Sequence, residues 1–371
     1  MRPHPTLPSS PSSIRLTTLA LPLSTSLPPP RRRVVILPGL GNCDADYSRL
    51  AALLRSRGAA VKVARVARID WARNAAGLLL PEYWKGTLMP RPTVDWYLER
   101  IDEALEALNE EVSESSGSSS PPPPLPPLTL LAHSAGGWLG RVWMLSEDGG
   151  PAAGKQKAAL VSAFVSVGSP HRPPPPGSSI PDQTRGILTW CEREAPGSFH
   201  AEEHGVRYTT VASRFVKGAP LFGSGRGEEE EEEEEEERAR AGGGGSGSGA
   251  SFDSDDSDIA LLAPGPLPLN RRSGNKISIA QRLAGVGYEA VCGDAEAWGD
   301  GITPVTSSHL PGAVTLTLDG VFHSPLGADE GSGEMKVGRR LWYGSEGVLD
   351  QWVGAVFGEA PLASATVDGS L

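Results

Sequence analysis

Residues 128–145, LTLLAHSAGGWLGRVWML, begin as a buried strand and end as an amphipathic helix. Leucines dominate the first part, and Leu139, Val142 and Trp143 recur at helical spacing in the second. Ser134 lies between the two parts, at a turn where its side chain has no packing role. A serine at such a turn is either a helix N-cap, whose hydroxyl accepts a backbone hydrogen bond, or a group placed to react.

Small residues surround Ser134. Ala132 and Gly136 lie two residues before and two residues after it, and Gly137 follows. A nucleophile elbow needs this pattern, G-x-S-x-G, because bulky side chains beside the strained turn would clash. Alanine at position 132, in place of the first glycine, is the smallest possible departure from that pattern. From the pattern as a whole we interpret Ser134 as a nucleophile.

Two downstream residues complete a catalytic set. A serine hydroxyl becomes a good nucleophile when a base takes its proton and a third group orients that base. In folds built around such an elbow, the chain order is serine, acid, histidine. Asp300, in AWGDGITPV, lies between two glycines, and His323, in LTLDGVFHSPLG, follows the last predicted strand. We therefore predict the triad Ser134, Asp300 and His323.

Other carboxylates and histidines are alternatives to this set. His171 and Asp182 follow an earlier strand, from which an acid can also come. Asp319, in LDG, is interpreted as a turn residue, and Asp294 lacks flanking glycines. His133 would point away from the serine if both belong to the elbow, so we interpret it as structural.

The loop after the first predicted core strand, LPGLGN, is a candidate oxyanion-binding element. Acyl transfer needs two backbone donors that are already in place for the developing negative charge. We predict the N–H of Ala135 as one donor and the N–H of Leu40 as the other. Gly39 and Gly41 would let the backbone approach a substrate closely. The alternative, a phosphate-binding loop, lacks a third glycine and a Walker lysine.

Strands alternate with helices along the chain, which indicates an α/β fold with a mostly parallel central sheet and helices on both faces. Residues 34–37, 60–66, 160–170, 207–215 and 312–320 are the other predicted strands, and residues 94–110 form a strongly amphipathic helix. We predict one domain over residues 34–371.

Three segments interrupt this predicted domain. Residues 113–127 are a low-complexity loop, and residues 225–258 combine poly-glutamate with Gly/Ser and Asp/Ser runs that we expect to be disordered. Residues 171–204 are an irregular Pro-rich segment with apolar side chains, which is either a lid or acyl-binding cap or an ordinary surface loop.

The charge of the chain is localised. The formal net charge is −11, and residues 226–258 account for all of it with ten glutamates, four aspartates and three arginines. This distribution offers no basic surface for nucleic acid. Cys43, Cys191 and Cys292 are odd in number and widely spaced, which excludes a disulfide framework or a metal site among them. No apolar run is long enough to span a bilayer.

Residues 1–33 are typical of an organellar transit peptide. They contain five arginines, six serines, four threonines and eight prolines, and the first acidic residue of the chain is Asp44. The abundance of proline and serine favours a plastid over a mitochondrion. An ordinary disordered tail is the alternative.

Four motifs together resemble a known group. RVVILPGLGN, LLAHSAGGWLGRVWM, AWGDGITPV and LDGVFHSP are similar to the lipase-like, GPI-inositol-deacylase-like branch of the α/β-hydrolase superfamily, in its plant, algal and cyanobacterial form. The resemblance covers most of residues 33–225 and 270–357. It implies a serine esterase or lipase with Ser134, Asp300 and His323 as nucleophile, acid and base, and it supports plastid targeting and a lipid acyl ester as substrate. We expect no cofactor.

Two functions from different classes fit these residues. The first is a plastid serine hydrolase that cleaves carboxylic esters through an acyl-enzyme, with lipid acyl esters as substrates and peripheral contact with a membrane. Leu40, Trp138, Trp84 and Trp190 would suit an acyl group, although tryptophans are also ordinary core residues. The second is a non-catalytic ligand-binding or scaffold protein. A thioesterase or acyltransferase would use the same triad.

Overall fold

The computed structural model describes residues 30–115, 124–147, 156–175, 182–222, 277–328, 340–359 and 366–367. Its strands are β1 (Arg32–Leu37), β2 (Ala59–Val63), β3 (Leu128–His133), β4 (Val161–Val167), β5 (Arg207–Arg214), β6 (Val216–Lys217), β7 (Trp298–Gly299), β8 (Val314–Asp319) and β9 (Thr366–Val367). Its helices are α1 (Ser48–Ser56), α2 (Pro81–Lys85), α3 (Asp95–Ser115), α4 (Gly136–Leu145), α5 (Ile187–Glu194), α6 (His200–His204), α7 (Ile279–Cys292), α8 (Val305–Ser308) and α9 (Val353–Phe357). Segments of 3-10 helix lie at Asp44–Tyr47, Arg68–Leu79, Lys157–Leu160 and Leu349–Gln351.

The main sheet has the strand order β2-β1-β3-β4-β5-β8-β9. Its first six strands are parallel, and β9 pairs with β8 in the antiparallel sense. Strands β6 and β7 form a separate antiparallel pair. Parallel neighbours need crossover connections, so helices must pass over the faces of this sheet.

Both faces of the sheet are covered, as the continuous apolar strands require. Alternate side chains of a strand point to opposite faces. Val35 of β1 packs in a cluster with residues of α3 and α4, whereas Ile36 packs in a second cluster with residues of α1 and α9. The chain therefore has the predicted architecture, a mostly parallel sheet between two helical layers.

The carboxyl ends of the parallel strands meet at one edge of the sheet, where open α/β sheets bind their ligands. Strand β3 is central in that sheet and runs directly into the turn at Ser134 and then into α4. A strand, a sharp turn and a helix at this position are the defining element of the α/β-hydrolase fold. The predicted fold class is confirmed.

Two details differ from the sequence expectations. Helix α3 continues to Ser115 and so includes the start of the predicted low-complexity loop, 113–127, because Val112 still packs in the core. The segment 171–204 is not irregular throughout, since it contains α5, in which Ile187 and Leu188 are buried, and α6. Residues 1–29 of the predicted leader, 1–33, and the acidic insert 225–258 lie outside the described residues, whereas Arg32 and Arg33 of that leader belong to β1.

Candidate active site

Ser134 occupies a strained turn. Its φ is +52°, in the left-handed region that side chains other than glycine rarely adopt. Its backbone N–H donates to the carbonyl of Val167 in the neighbouring strand, at 3.1 Å. A Cβ atom added at Gly136 would collide with the backbone of Leu37, so the small residue predicted at this position is required by close packing. The turn holds the Ser134 hydroxyl at the carboxyl edge of the sheet.

The three residues of the predicted triad lie together. The Ser134 Oγ is 3.0 Å from Nε2 of His323, and His323 Nδ1 is 2.8 Å from Oδ2 of Asp300. Asp300 is fully buried and His323 is nearly so, whereas Ser134 is only half-buried. Because the carboxylate can only accept, His323 carries its proton on Nδ1 and presents the Nε2 lone pair to the serine hydroxyl.

The carboxylate of Asp300 is held by donors on both oxygens. Its Oδ1 accepts from the backbone N–H groups of Ile302 and Thr303, at 3.1 and 2.7 Å. Its Oδ2 accepts from the hydroxyl of Tyr343 at 2.9 Å in addition to His323. Tyr343 is fully buried, and burial together with the charge of Asp300 raises the pKa of its phenol far above the ordinary value. Tyr343 thus stays protonated and donates to the carboxylate.

A second hydrogen-bonded chain runs behind the triad. The N–H of Gly39 donates to the hydroxyl of Tyr47 at 2.9 Å, and that hydroxyl lies 2.7 Å from Nδ1 of His133. His133 Nε2 lies 2.9 Å from the backbone carbonyl of His323. Only one arrangement of protons fits: Tyr47 donates to Nδ1, and Nε2–H donates to the carbonyl. Burial, and then the neighbouring His323, lowers the pKa of His133, which keeps its ring neutral as this arrangement needs.

The two backbone N–H groups predicted as oxyanion donors are both available to a ligand. Within the described part of the chain, neither the N–H of Leu40 nor that of Ala135 donates to another group. Both residues line the same cavity as Ser134. The adjacent loop is fixed, because Tyr97 donates its hydroxyl to the carbonyl of Pro38 at 2.6 Å. Two unused donors on a held backbone are what an oxyanion hole requires.

A cavity of about 630 Å³ opens beside the triad, and Ser134 and His323 lie in its wall. Apolar and aromatic side chains form most of the lining: Leu40, Trp71, Ala75, Leu78, Tyr83, Leu88, Val94, Ala135, Trp138, Pro170, Ile187, Ile302 and Leu326. One wall comes from residues 71–94, and another from residues 183–187 of the segment that was predicted as a lid or an ordinary loop. Leu40 and Trp138 line the cavity as expected, but Trp84 and Trp190 do not.

The alternative acids and bases have other partners. His171 is fully buried and pairs with the Ser166 hydroxyl at 2.8 Å. The carboxylate of Asp182 accepts from the backbone and hydroxyl groups of Thr184 and Thr189. Asp319 pairs with Arg214 on the surface, and Asp294 accepts from the N–H of Glu296. None of these side chains bonds to Ser134 or His323 in the described structure.

Three contributors to the site are not evident in the sequence. Tyr47, Tyr343 and residues 71–94 are far from the elbow in the chain and carry no motif. Their contacts depend on how the layers pack, so no local pattern in the sequence points to them. Among the residues that the structure describes, no group of His, Cys, Asp and Glu could hold a metal ion. None of the described helices is long and apolar enough to cross a bilayer.

No protein-family model matches the chain, and no curated protein matches it. Nine solved chains do match, one of which is a metagenomic carboxyl esterase with 16% identity and a TM-score of 0.28. The matched region covers 54% of this chain and 54% of the esterase, so the chain spans about half the length of that protein. At this TM-score, the likeness carries no functional argument.

Proposed function

We propose that the chain is a serine hydrolase that cleaves carboxylic esters through an acyl-enzyme, with Ser134 as nucleophile, His323 as base and Asp300 as acid. One observation carries the proposal: the unbroken path of hydrogen bonds from the Ser134 Oγ through both ring nitrogens of His323 to the buried Asp300 carboxylate. A nucleophile, a base and an orienting group with these distances are the diagnostic set for such catalysis.

The first half of the reaction acylates the enzyme. Ser134 Oγ attacks the ester carbonyl carbon while its proton passes to Nε2 of His323. The carboxylate of Asp300 stabilises the resulting imidazolium and holds its ring orientation. The carbonyl oxygen becomes an oxyanion that accepts hydrogen bonds from the N–H groups of Leu40 and Ala135. The C–O bond of the ester then breaks, and His323 returns the proton to the departing alcohol.

The second half releases the acid. A water molecule gives a proton to His323 Nε2 and attacks the acyl carbon on Ser134. The same two backbone donors stabilise the second oxyanion. When it collapses, the bond to Ser134 breaks, the carboxylic acid leaves, and the serine recovers its proton. Every proton therefore moves through one nitrogen, which is why the fixed tautomer of His323 matters.

The lining of the cavity supports an acyl chain as the part of the substrate that it binds. Leu40, Leu78, Ile302 and Leu326 line the cavity and yet are between 41% and 63% exposed. Apolar side chains that stay exposed at the wall of a pocket are typical of a surface that meets an apolar ligand. We therefore propose lipid acyl esters as substrates and peripheral contact with a lipid surface. Membership of the lipase-like branch and plastid targeting remain predictions.

Labelling with a fluorophosphonate probe tests the nucleophile. The full chain should react with the probe and the Ser134→Ala variant should not. Ser162→Ala is the matched control, because Ser162 is also half-buried and its hydroxyl only donates to a strand carbonyl. Labelling that survives in a folded Ser134→Ala protein would assign the reactive group elsewhere.

Hydrolysis of a series of 4-nitrophenyl esters tests the substrate class. With acyl chains from acetyl to palmitoyl, kcat/KM should rise with chain length up to the capacity of the cavity and be abolished in Ser134→Ala. If the protein reacts with the fluorophosphonate but hydrolyses none of these esters, Ser134 is reactive but the proposed class of ester substrates is wrong. If neither reagent reacts, the hydrolase proposal fails.

A further inference from the structure

The cavity beside the triad has an uneven distribution of charge. Among its described lining residues, Arg185 is the one permanently charged group, and no carboxylate lines it. An arginine remains charged at any physiological pH and prefers planar anions such as carboxylate or phosphate. A charge in apolar surroundings is costly unless it is paired. A cationic group in a mostly apolar wall therefore favours a ligand that brings a negative charge.

Arg185 makes no ion pair with any residue that the structure describes. The nearest acid in sequence, Asp182, is buried, and its two oxygens accept hydrogen bonds from Thr184 and Thr189. The guanidinium of Arg185 lies instead over the ring of Tyr83, 4.9 Å from its centroid. A ring stabilises a cation without neutralising it, so the N–H donors stay available to an anion.

The backbone at Arg185 is fixed in a costly conformation. Its φ is +59°, one of two positive values at non-glycine residues in the described chain, and the other is at Ser134. The carbonyl of Arg185 accepts from Leu88 N–H at 2.7 Å, and its own N–H donates to the Asp182 carbonyl at 2.7 Å. At Gly186 an added Cβ would lie 2.6 Å from the backbone nitrogen of Leu88. Such strain persists where the surroundings impose it, and it concentrates at ligand-binding positions.

We propose that Arg185, supported by Tyr83, binds an anionic group of the substrate. The substrate is then an amphiphilic ester with a carboxylate or phosphate in its acyl part or its alcohol part. This inference rests on the proposed ester hydrolysis and narrows its substrate class. The anion would form charge-assisted hydrogen bonds with the guanidinium, while the apolar walls hold the hydrocarbon.

Two matched pairs of esters test this selectivity. On the acyl side, 4-nitrophenyl octanoate is compared with the 4-nitrophenyl monoester of octanedioic acid, which adds one carboxylate at the far end. On the alcohol side, 1-octanoylglycerol is compared with 1-octanoylglycerol 3-phosphate. For each pair, the ratio of kcat/KM values, anionic over neutral, measures the preference.

Arg185→Gln should lower that ratio about tenfold or more for one of the pairs, chiefly through the KM of the anionic ester. Arg185→Lys should keep most of the preference. Arg193→Gln is the control, since Arg193 lies in the same segment but is exposed and paired with Glu194 at 2.7 Å. If Arg185→Gln does not fold, Tyr83→Leu gives a second route, because loss of the ring should also reduce the ratio.

Binding separates this proposal from the proposed reaction. Dissociation constants for the same esters, measured by calorimetry in the Ser134→Ala protein, do not depend on turnover. Tighter binding of the anionic ester that is lost with Arg185→Gln supports the anion site even if no ester is hydrolysed. The proposal would be overturned if, for both pairs, Arg185→Gln changed neither the kcat/KM ratio of the active protein nor the affinities of the Ser134→Ala protein. The pair that responds identifies which half of the substrate carries the charge.

Discussion

The ring nitrogen Nε2 of His133 lies 2.9 Å from the backbone carbonyl oxygen of His323, so the residue before the proposed nucleophile fixes the backbone of the proposed base. The other ring nitrogen of His133 is bonded to Tyr47, which accepts from Gly39 in the loop of the proposed oxyanion donor. The elbow, the base and the oxyanion loop are therefore joined by one buried chain of hydrogen bonds.

Removing the hydroxyl of Tyr47 should break that chain. Tyr47→Phe leaves Gly39 N–H and His133 Nδ1 without their partner, which costs about 1–3 kcal/mol of unfolding free energy. Because the oxyanion loop loses its anchor, we expect kcat for an ester to fall about tenfold while KM changes little. Tyr208→Phe serves for comparison, since Tyr208 is also buried but lies outside the hydrogen-bonded chain of Gly39, Tyr47 and His133. Equal kcat values in the two variants would show that the chain does not position the loop.

Gly168 is packed against the proposed acid and base. An added Cβ would lie 2.6 Å from Oδ2 of Asp300 and 3.1 Å from Nδ1 of His323, and the φ of Gly168 is +56°. Gly205 has a similar φ of +67° but open space around it. Both alanine variants should lose about 1 kcal/mol to backbone strain. Only Gly168→Ala should also lose most of its activity and fluorophosphonate labelling, and full activity in that variant would contradict this packing.

The strained backbone at Ser134 predicts that Ser134→Gly is at least as stable as Ser134→Ala, the reverse of the usual order. Glycine in place of alanine ordinarily destabilises an ordered position by about 0.5–1 kcal/mol. At Ser134, with φ at +52°, the left-handed conformation costs alanine about 1–2 kcal/mol that glycine avoids. Urea unfolding should therefore find Ser134→Gly at least as stable as Ser134→Ala, with both inactive. A Ser134→Gly protein clearly less stable than Ser134→Ala would mean that the turn relaxes.

Acidification should destabilise the fold through its buried histidines. Burial, then His204 and Arg141, lowers the pKa of His200 to about 4, and burial also lowers the pKa of His171. The pKa of a histidine in the unfolded chain is about 6.5, so below that pH the unfolded chain binds protons that the folded chain does not. The unfolding free energy should fall from pH 6.5 towards pH 4.

Urea unfolding of the parent protein and of His200→Gln, at neutral and mildly acidic pH, measures this effect. The variant should lose less stability on acidification, although His171 still contributes in the same direction. An identical loss in both proteins would mean that His200 is not held neutral in the folded state.

The proposed triad was predictable because its signals are local. Ser134 has small neighbours between a strand and a helix, and Asp300 and His323 follow in the order that a parallel sheet brings to one edge. The structure places the side chains of Ser134 and Asp300 each within hydrogen-bonding distance of a ring nitrogen of His323. Their roles in catalysis remain predictions until the serine is tested.

The supporting residues were not predictable, because they depend on packing across layers. Tyr343 reaches Asp300 from 43 positions away, and Tyr47 reaches His133 from 86 positions away, without any motif around either tyrosine. The cavity wall from residues 71–94 is built partly of 3-10 helix, which has no clear hydrophobic period. Likewise, the helices in 171–204 are short and follow a Pro-rich stretch that suggested an irregular segment.

The direction of β3 has a practical consequence. The chain leaves α3 at Ser115 and enters β3 at Leu128, so the connection between them joins the strand at its amino end. Ser134 follows the opposite end of the same strand. A fluorophore or affinity tag attached at residues 124–127 would therefore lie at the opposite edge of the sheet from Ser134, separated from it by the length of β3, which makes this stretch an attachment point for immobilising the protein with its cavity facing solution.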